Sequence, residues 1–165
     1  KLQEQVLEAR RRLLGEEHPD TLTAMNNLAQ TRQAQGDLAG ARKLQEQVLG
    51  TSRRLLGEEH PDTLTAMNNL AGTVYAQGDL AGARKLEEHV LGARRRLLGE
   101  EHPDTSISAW NLFQTLVDSG DTSAAGGVLA ENLVWLLEAD PATLAGSQHK
   151  IRQMLSEIRD RSTGA

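Results

Sequence analysis

From about residue 62, apolar side chains fall at Leu64, Met67, Leu70, Ala71 and Val74. Steps of three and four put them on one face of a helix. Pro61 suits the first helical position, where a missing N–H is not felt, and Asp62 sets negative charge against the positive end of the helix dipole. Gly78-Asp79 ends this helix and opens a short turn. A second stripe follows at Leu80, Ala83, Leu86, Val90, Leu91 and Leu97. Arg94-Arg95-Arg96 lies near its C-terminus, where cations are favoured, and Gly99 closes it.

This two-helix pattern recurs. Leu13 to Arg54 aligns without gaps on Leu55 to Arg96 with 35 of 42 positions identical. Leu-Leu-Gly-Glu-Glu-His-Pro-Asp-Thr returns from Leu97 to Thr105 before the third copy diverges, and Lys1 to Arg12 matches Lys43 to Arg54 at nine of twelve positions. A hairpin cannot bury both of its stripes alone, so successive hairpins must stack. The expected fold is therefore all-α, an α-solenoid of about eight helices. An orphan helix spans about 1–14 as the second helix of a truncated repeat. Helix pairs follow at about 20–35 with 38–55, 62–77 with 80–97 and 104–119 with 122–138, and a capping helix at about 141–160 carries Leu144, Ile151, Leu155 and Ile158 on one side. The domain organisation is a single solenoid over 1–165: repeats at 15–56 and 57–98, a divergent repeat at 99–138 and a cap at 140–161.

A small residue after Leu in each first helix (Leu28-Ala29, Leu70-Ala71), Gly-Asp at the turn and Ala41 and Ala83 in the second helices resemble the tetratricopeptide repeat. The period and the string Leu-Gly-Glu-Glu-His-Pro-Asp-Thr with Asn-Asn-Leu-Ala are similar to the kinesin light chain variety, which also occurs in bacterial signalling proteins. The resemblance covers residues 1 to about 138 and implies a fragment of a bacterial array. It also implies a right-handed superhelix with a concave groove that binds extended peptides, paired asparagines bonding the peptide main chain. The implied site residues are Asn26, Asn27, Asn68 and Asn69, with Asn111 surviving in the third unit. An amide offers both donor and acceptor, so it can satisfy a backbone without reading its side chains. Gln30, Gln33, Tyr75, Trp110 and Gln114 lie on the same faces, as do Thr23 and Thr65, and would set specificity.

The third unit departs from the pattern. Trp110 replaces an asparagine, and Phe113 replaces an alanine opposite Ala124-Ala125-Gly126-Gly127, whose small residues would vacate the space that the ring fills. Arg32 stands where the second unit has Val74. Either its stem lies along the core with the guanidinium reaching water, or it meets a carboxylate from the missing upstream repeat. Trp135, among Leu133, Val134, Leu136 and Leu137, reads as core.

Other chemistry recedes on inspection. His18, His60 and His102 recur in successive hairpins about 10 Å apart, too far for one coordination sphere with bonds of about 2 Å. They read as residues that start helices. The glutamate pairs 16/17, 58/59 and 100/101 lie on exposed turns beside arginine-rich helix ends, which favours mutual neutralisation over acid–base work. No phosphate loop, nucleophile elbow or zinc signature appears, so no catalytic residue, metal or cofactor is expected.

Composition supports this reading. The 165 residues include four aromatics and no cysteine, so the core is built from Leu, Ala, Val and Met, and disulfide or thiolate chemistry is excluded. A formal charge of −5 disfavours nucleic acid as a partner, and the sequence has no apolar run of about 18 residues to span a membrane. With Lys1 inside a helical pattern and no initiator Met, the chain reads as a piece of a longer protein, with a cytoplasmic location. The expected function is a non-enzymatic scaffold that binds a protein or peptide in the groove. The alternative is a regulatory or self-assembly segment of a larger signalling protein, associating through the truncated N-terminal helix or the groove.

Overall fold

The computed structural model describes residues 2–163. These form α1 (Leu2–Leu14), α2 (Pro19–Ala34), α3 (Leu38–Leu56), α4 (Pro61–Ala76), α5 (Leu80–Leu98), α6 (Pro103–Asp118), α7 (Thr122–Asn132), α8 (Trp135–Glu138), a 3-10 turn (Pro141–Thr143) and α9 (Gly146–Thr163). No strand occurs among the described residues. The chain divides into two compact units, Lys1–Leu86 and Glu87–Ala165.

The same local devices delimit the hairpins. His18, His60 and His102 precede α2, α4 and α6, and each Nδ1 accepts the N–H two residues on, from Asp20, Asp62 and Asp104, at 3.1–3.2 Å. Proline at the next position needs no partner for its nitrogen. At the far end of α2, the Gly36 N–H bonds the Gln33 carbonyl and the Asp37 N–H bonds that of Arg32. Gly36 adopts φ +82°, a conformation that glycine reaches without strain, so the pair of bonds closes the helix. Asp37 then caps α3, its Oδ1 accepting from the Gly40 N–H at 2.9 Å. Gly78-Asp79 and Gly120-Asp121 repeat the arrangement.

The turn from each second helix to the next hairpin is an ion-pair site. Arg11–Glu16, Arg53–Glu58 and Arg95–Glu100 pair at 3.1, 2.9 and 2.7 Å, 42 residues apart, and Arg54 bonds Glu17. At least one arginine of each cluster is thus engaged by a glutamate turn.

In the first unit α1, α2, α3 and α4 pack in sequence. Met25, Leu28, Ala29, Val48, Leu49, Leu64 and Met67 are buried, as the stripes require. Arg32 keeps its guanidinium partly in water, and the carboxylates it meets at 3.6 Å are Glu4 of the orphan helix α1 and Asp37 of its own turn rather than one from a missing repeat.

In the second unit Leu112, Phe113 and Leu116 of α6 join Leu91, Ala125, Leu133, Leu136, Ile151 and Leu155 in one core. Three expectations are corrected here. The helix read over 122–138 breaks after Asn132. The indole Nε1 of Trp135 donates to the Asn132 carbonyl, the acceptor that a continuous helix would offer to the N–H of Leu136. Leu136 bonds the Leu133 carbonyl instead, and both leucines become fully buried. The cap read from residue 141 starts at Gly146, because Pro141–Thr143 forms its own turn under Asp140. The Gln148 side chain then accepts the Ala145 N–H at 2.9 Å, as a residue reaching back from the first turn does at a helix start. Finally, Phe113 packs with Ala124 and Ala125. Gly126 and Gly127 are exposed, with nothing within 4 Å of an added Cβ, so they are not what makes room for the ring.

Candidate functional site

A cleft of about 460 Å³ opens in the first unit, walled by α2 and α4 and floored by the C-terminal half of α3. Positions 22, 26 and 30 of α2 share one face at four-residue spacing, as do 23 and 27. Leu22, Thr23, Asn26, Asn27 and Gln30 therefore line it together. Asp62, Thr65 and Asn69 of α4 stand across from them. Beneath lie Val48, Ser52, Leu55 and Leu56, so an apolar floor meets amide walls. Two carboxylate residues sit at the edge, Asp62 and Glu17. The Arg54 guanidinium bonds Glu17 and holds its carboxyl below the ordinary range, which leaves Asp62 as the less occupied of the two.

The amides differ in what they have left to offer. Asn26 is half-buried, and its Oδ1 is shut from solvent without a hydrogen-bond partner among the described residues. Such an acceptor costs about 1–3 kcal/mol when nothing meets it. Asn27 and Gln30 are exposed on the wall, and Asn69 is half-buried. Gln33 lies outside the cleft lining, its Oε1 accepting from the Thr73 hydroxyl at 3.3 Å. Asn68 and Tyr75 are half-buried in α4 and also stand outside the lining.

The remaining expected site residues belong to the second unit. Asn111 is half-buried and Gln114 exposed. Trp110 packs against the core of that unit, its ring 5.5 Å from that of Phe113 and tilted by 35°. Trp135 is likewise half-buried against this core.

The sequence reading missed the leucine floor. It set Leu97 in a buried stripe, whereas Leu97 is 51% exposed, and its counterpart Leu55 is exposed and lines the cleft. The usable signal was the Leu-Leu pair preceding each Gly-Glu-Glu turn, all six leucines being exposed.

Capped helix pairs with a groove of amides over an apolar floor define a helical-repeat protein of the tetratricopeptide class. The tetratricopeptide repeat family model matches residues 1–51 and 28–96, more than half of the chain, and the chain belongs to this family. A candidate kinesin light chain from Podosopora anserina with nearly identical TPR-like repeats is 27% identical at a TM-score of 0.81, with 99% of this chain and 76% of that one covered. A point variant of the same protein gives 25% identity and a TM-score of 0.79, covering 99% and 86%. BtubC (BKLC) from P. vanneervenii is similar in fold, at 24% identity and a TM-score of 0.72 over 93% of this chain and 55% of that one. No curated protein matches the sequence significantly.

Tetratricopeptide repeats generally mediate protein–protein interaction, and the scaffolds built from them are generally non-catalytic. Among the described residues, no group of histidine and carboxylate side chains could hold a metal ion, and no helix is long and apolar enough to cross a membrane.

Proposed function

We propose that this chain is a non-enzymatic scaffold that holds an extended peptide of a protein partner in the cleft of its first unit. Asn26, Asn27, Gln30 and Asn69 bond the peptide main chain, and side chains of the peptide rest on Leu22, Leu55 and Leu56. The observation that supports this reading is the gathering of Asn26, Asn27, Gln30 and Asn69 on the walls of one cleft over the exposed Leu55 and Leu56. Asn27 and Gln30, exposed on the wall, are the amides most open to the main chain of a ligand. Asn68, Gln33 and Tyr75 flank the cleft, while Asn111, Gln114 and Trp110 offer the corresponding face of the second unit.

The test pairs Asn26→Ala with Asn69→Ala. Two hydrogen bonds at about 1 kcal/mol each correspond to a loss of about thirtyfold in affinity for a peptide selected on the unaltered protein. The circular dichroism melt should not fall. Loss of folding in parallel with loss of binding would refute the assignment.

One observation favours self-assembly as a second reading. Leu2 and Val6 of α1 are 75% and 40% exposed, whereas their repeat counterparts Leu44 and Val48 are buried at 8% and 2%. Concentration-dependent light scattering that is lost with Val6→Asp would support it.

A further inference from the structure

Three residues before the leucine pairs of α1, α3 and α5 stand Arg10, Ser52 and Arg94. Asp20, Asp62 and Asp104 follow them in the first turns of α2, α4 and α6. At two of these three junctions the pair is joined. The Arg10 Nη1 donates to the Asp20 carbonyl at 2.6 Å, and the Arg94 Nη1 donates to the Asp104 carbonyl at 3.2 Å. A guanidinium is thus held twice at the start of a first helix, where the helix dipole alone would disfavour it and an aspartate offsets the dipole.

At the middle junction Ser52 brings no cation, and Asp62 stands open. Its side chain is 77% exposed. The Nδ1 of His60 lies 3.8 Å from the carboxylate, but that nitrogen accepts the Asp62 N–H at 3.2 Å and so holds no proton to offer. No lysine or arginine among the described residues pairs with Asp62.

The surroundings share this bias. Asp62 and Ser52 both line the cleft of the first unit, and no lysine or arginine does. Glu17, the other carboxylate at its edge, is taken by Arg54. An acidic ligand side chain would meet like charge here without a cation to receive it. A basic one would meet a carboxylate, a main-chain carbonyl and the apolar surface of Leu22, Leu55 and Leu56, along which a long aliphatic stem can lie with its charged head at the edge.

We propose that the cleft of the first unit selects a basic peptide segment. A lysine or arginine of the ligand takes the place that Arg10 and Arg94 fill at the other junctions, its stem on the leucine floor and its cation on the carbonyl and carboxylate of Asp62. Ser52 leaves the place open, and Asp62 reads the charge. This rests on the peptide reading above and adds the chemical class of the partner.

The test selects displayed random twelve-residue peptides on the full chain and keeps, as cleft ligands, those that the protein carrying Asn26→Ala and Asn69→Ala no longer binds. The expected result is a lysine or arginine at a fixed position. Replacing it in the peptide by norleucine, which keeps most of the stem and drops the charge, should cost about fivefold in affinity on the unaltered chain. The same replacement should cost nothing on Asp62→Asn. Ser52→Arg, which installs the side chain found at the other two junctions, should also erase the difference, with a circular dichroism melt to check that it folds. Cleft ligands without a fixed basic residue, or a norleucine loss as large on Asp62→Asn as on the unaltered chain, would overturn the inference and leave the cleft standing as a peptide site. A library that yields no cleft ligand overturns both readings.

Discussion

Glu87 is the carboxylate whose removal should strengthen the protein. It is 5% exposed, and its Oε2 is enclosed without a hydrogen-bond partner among the described residues. Burial pushes its pKa above the ordinary value of 4.5, and the nearby Thr115 hydroxyl opposes this only in part. An acid whose pKa is raised by folding contributes most to stability below its unfolded pKa, and the contribution is lost as pH rises through the folded value. The first repeat holds a glutamine, Gln45, 1% exposed, at the same place. Gln45 also leaves an acceptor unmet, so Glu87→Gln removes the buried charge without completing the hydrogen bonding. The gain should therefore sit near the lower end of the 1–3 kcal/mol cost of an unmet polar group, about 1 kcal/mol at pH 7. For a chain of this length that is about 2–4 °C in melting temperature. Circular dichroism melts of both proteins at pH 7 and at pH 4 read it. The difference should be present at pH 7 and shrink towards zero at pH 4, because the wild-type side chain is then neutral. A melting difference independent of pH, or a lower melting temperature for the variant at pH 7, would refute the reasoning.

Three further outcomes follow from the repeat geometry. His60→Ala removes the Nδ1 acceptor at the start of α4 and should cost about 1 kcal/mol in urea unfolding, with His60→Asn restoring most of it. Gly50→Ala, exposed in α3 with nothing near the added methyl, should gain about 0.5–1 kcal/mol, whereas at Gly40 a Cβ would lie 2.2 Å from the capping Asp37 carboxylate and the gain should vanish. Hydrogen exchange in α3 separates these two. Phe113→Ala should cost about 3–5 kcal/mol by emptying the core of the second unit, and the fluorescence of Trp110, whose ring is 5.5 Å away, should report that loss at lower denaturant than helicity in the first unit.

Local devices were the legible part of this fold. A histidine, a proline and an aspartate in a row start each first helix, and Gly-Asp closes it, because every bond involved spans five residues or fewer. The break after Asn132 had no such marker, since it depends on an indole reaching back to a carbonyl and on two leucines being buried together. The site divides along the same line. Helical spacing put Asn26 and Gln30 on one face, but the floor of the cleft comes from the last turns of α3, and periodicity alone assigns such leucines to the core. It cannot show that the last turn outruns the helices packed against it. Nor could it show that Gln33 is engaged by Thr73, 40 residues on.

Near-identity of the repeats turns these limits into a guide. Positions that agree between the copies satisfy the same packing twice, so the folding information they hold is redundant. Gln45 against Glu87 and Ser52 against Arg94 place a charge in a buried position of an otherwise repeated surface. Each change carries a desolvation cost. For Glu87 the nearby Thr115 hydroxyl offsets this cost only in part, which is why its neutral variant should be the more stable. Arg94 offsets part of its own cost within the chain, because its Nη1 donates to the Ser108 hydroxyl and the Asp104 carbonyl. The two substitutions therefore make opposite demands on experiment: neutralising the carboxylate should raise stability in the free protein, and removing the guanidinium should lower it by the bonds to Ser108 and Asp104.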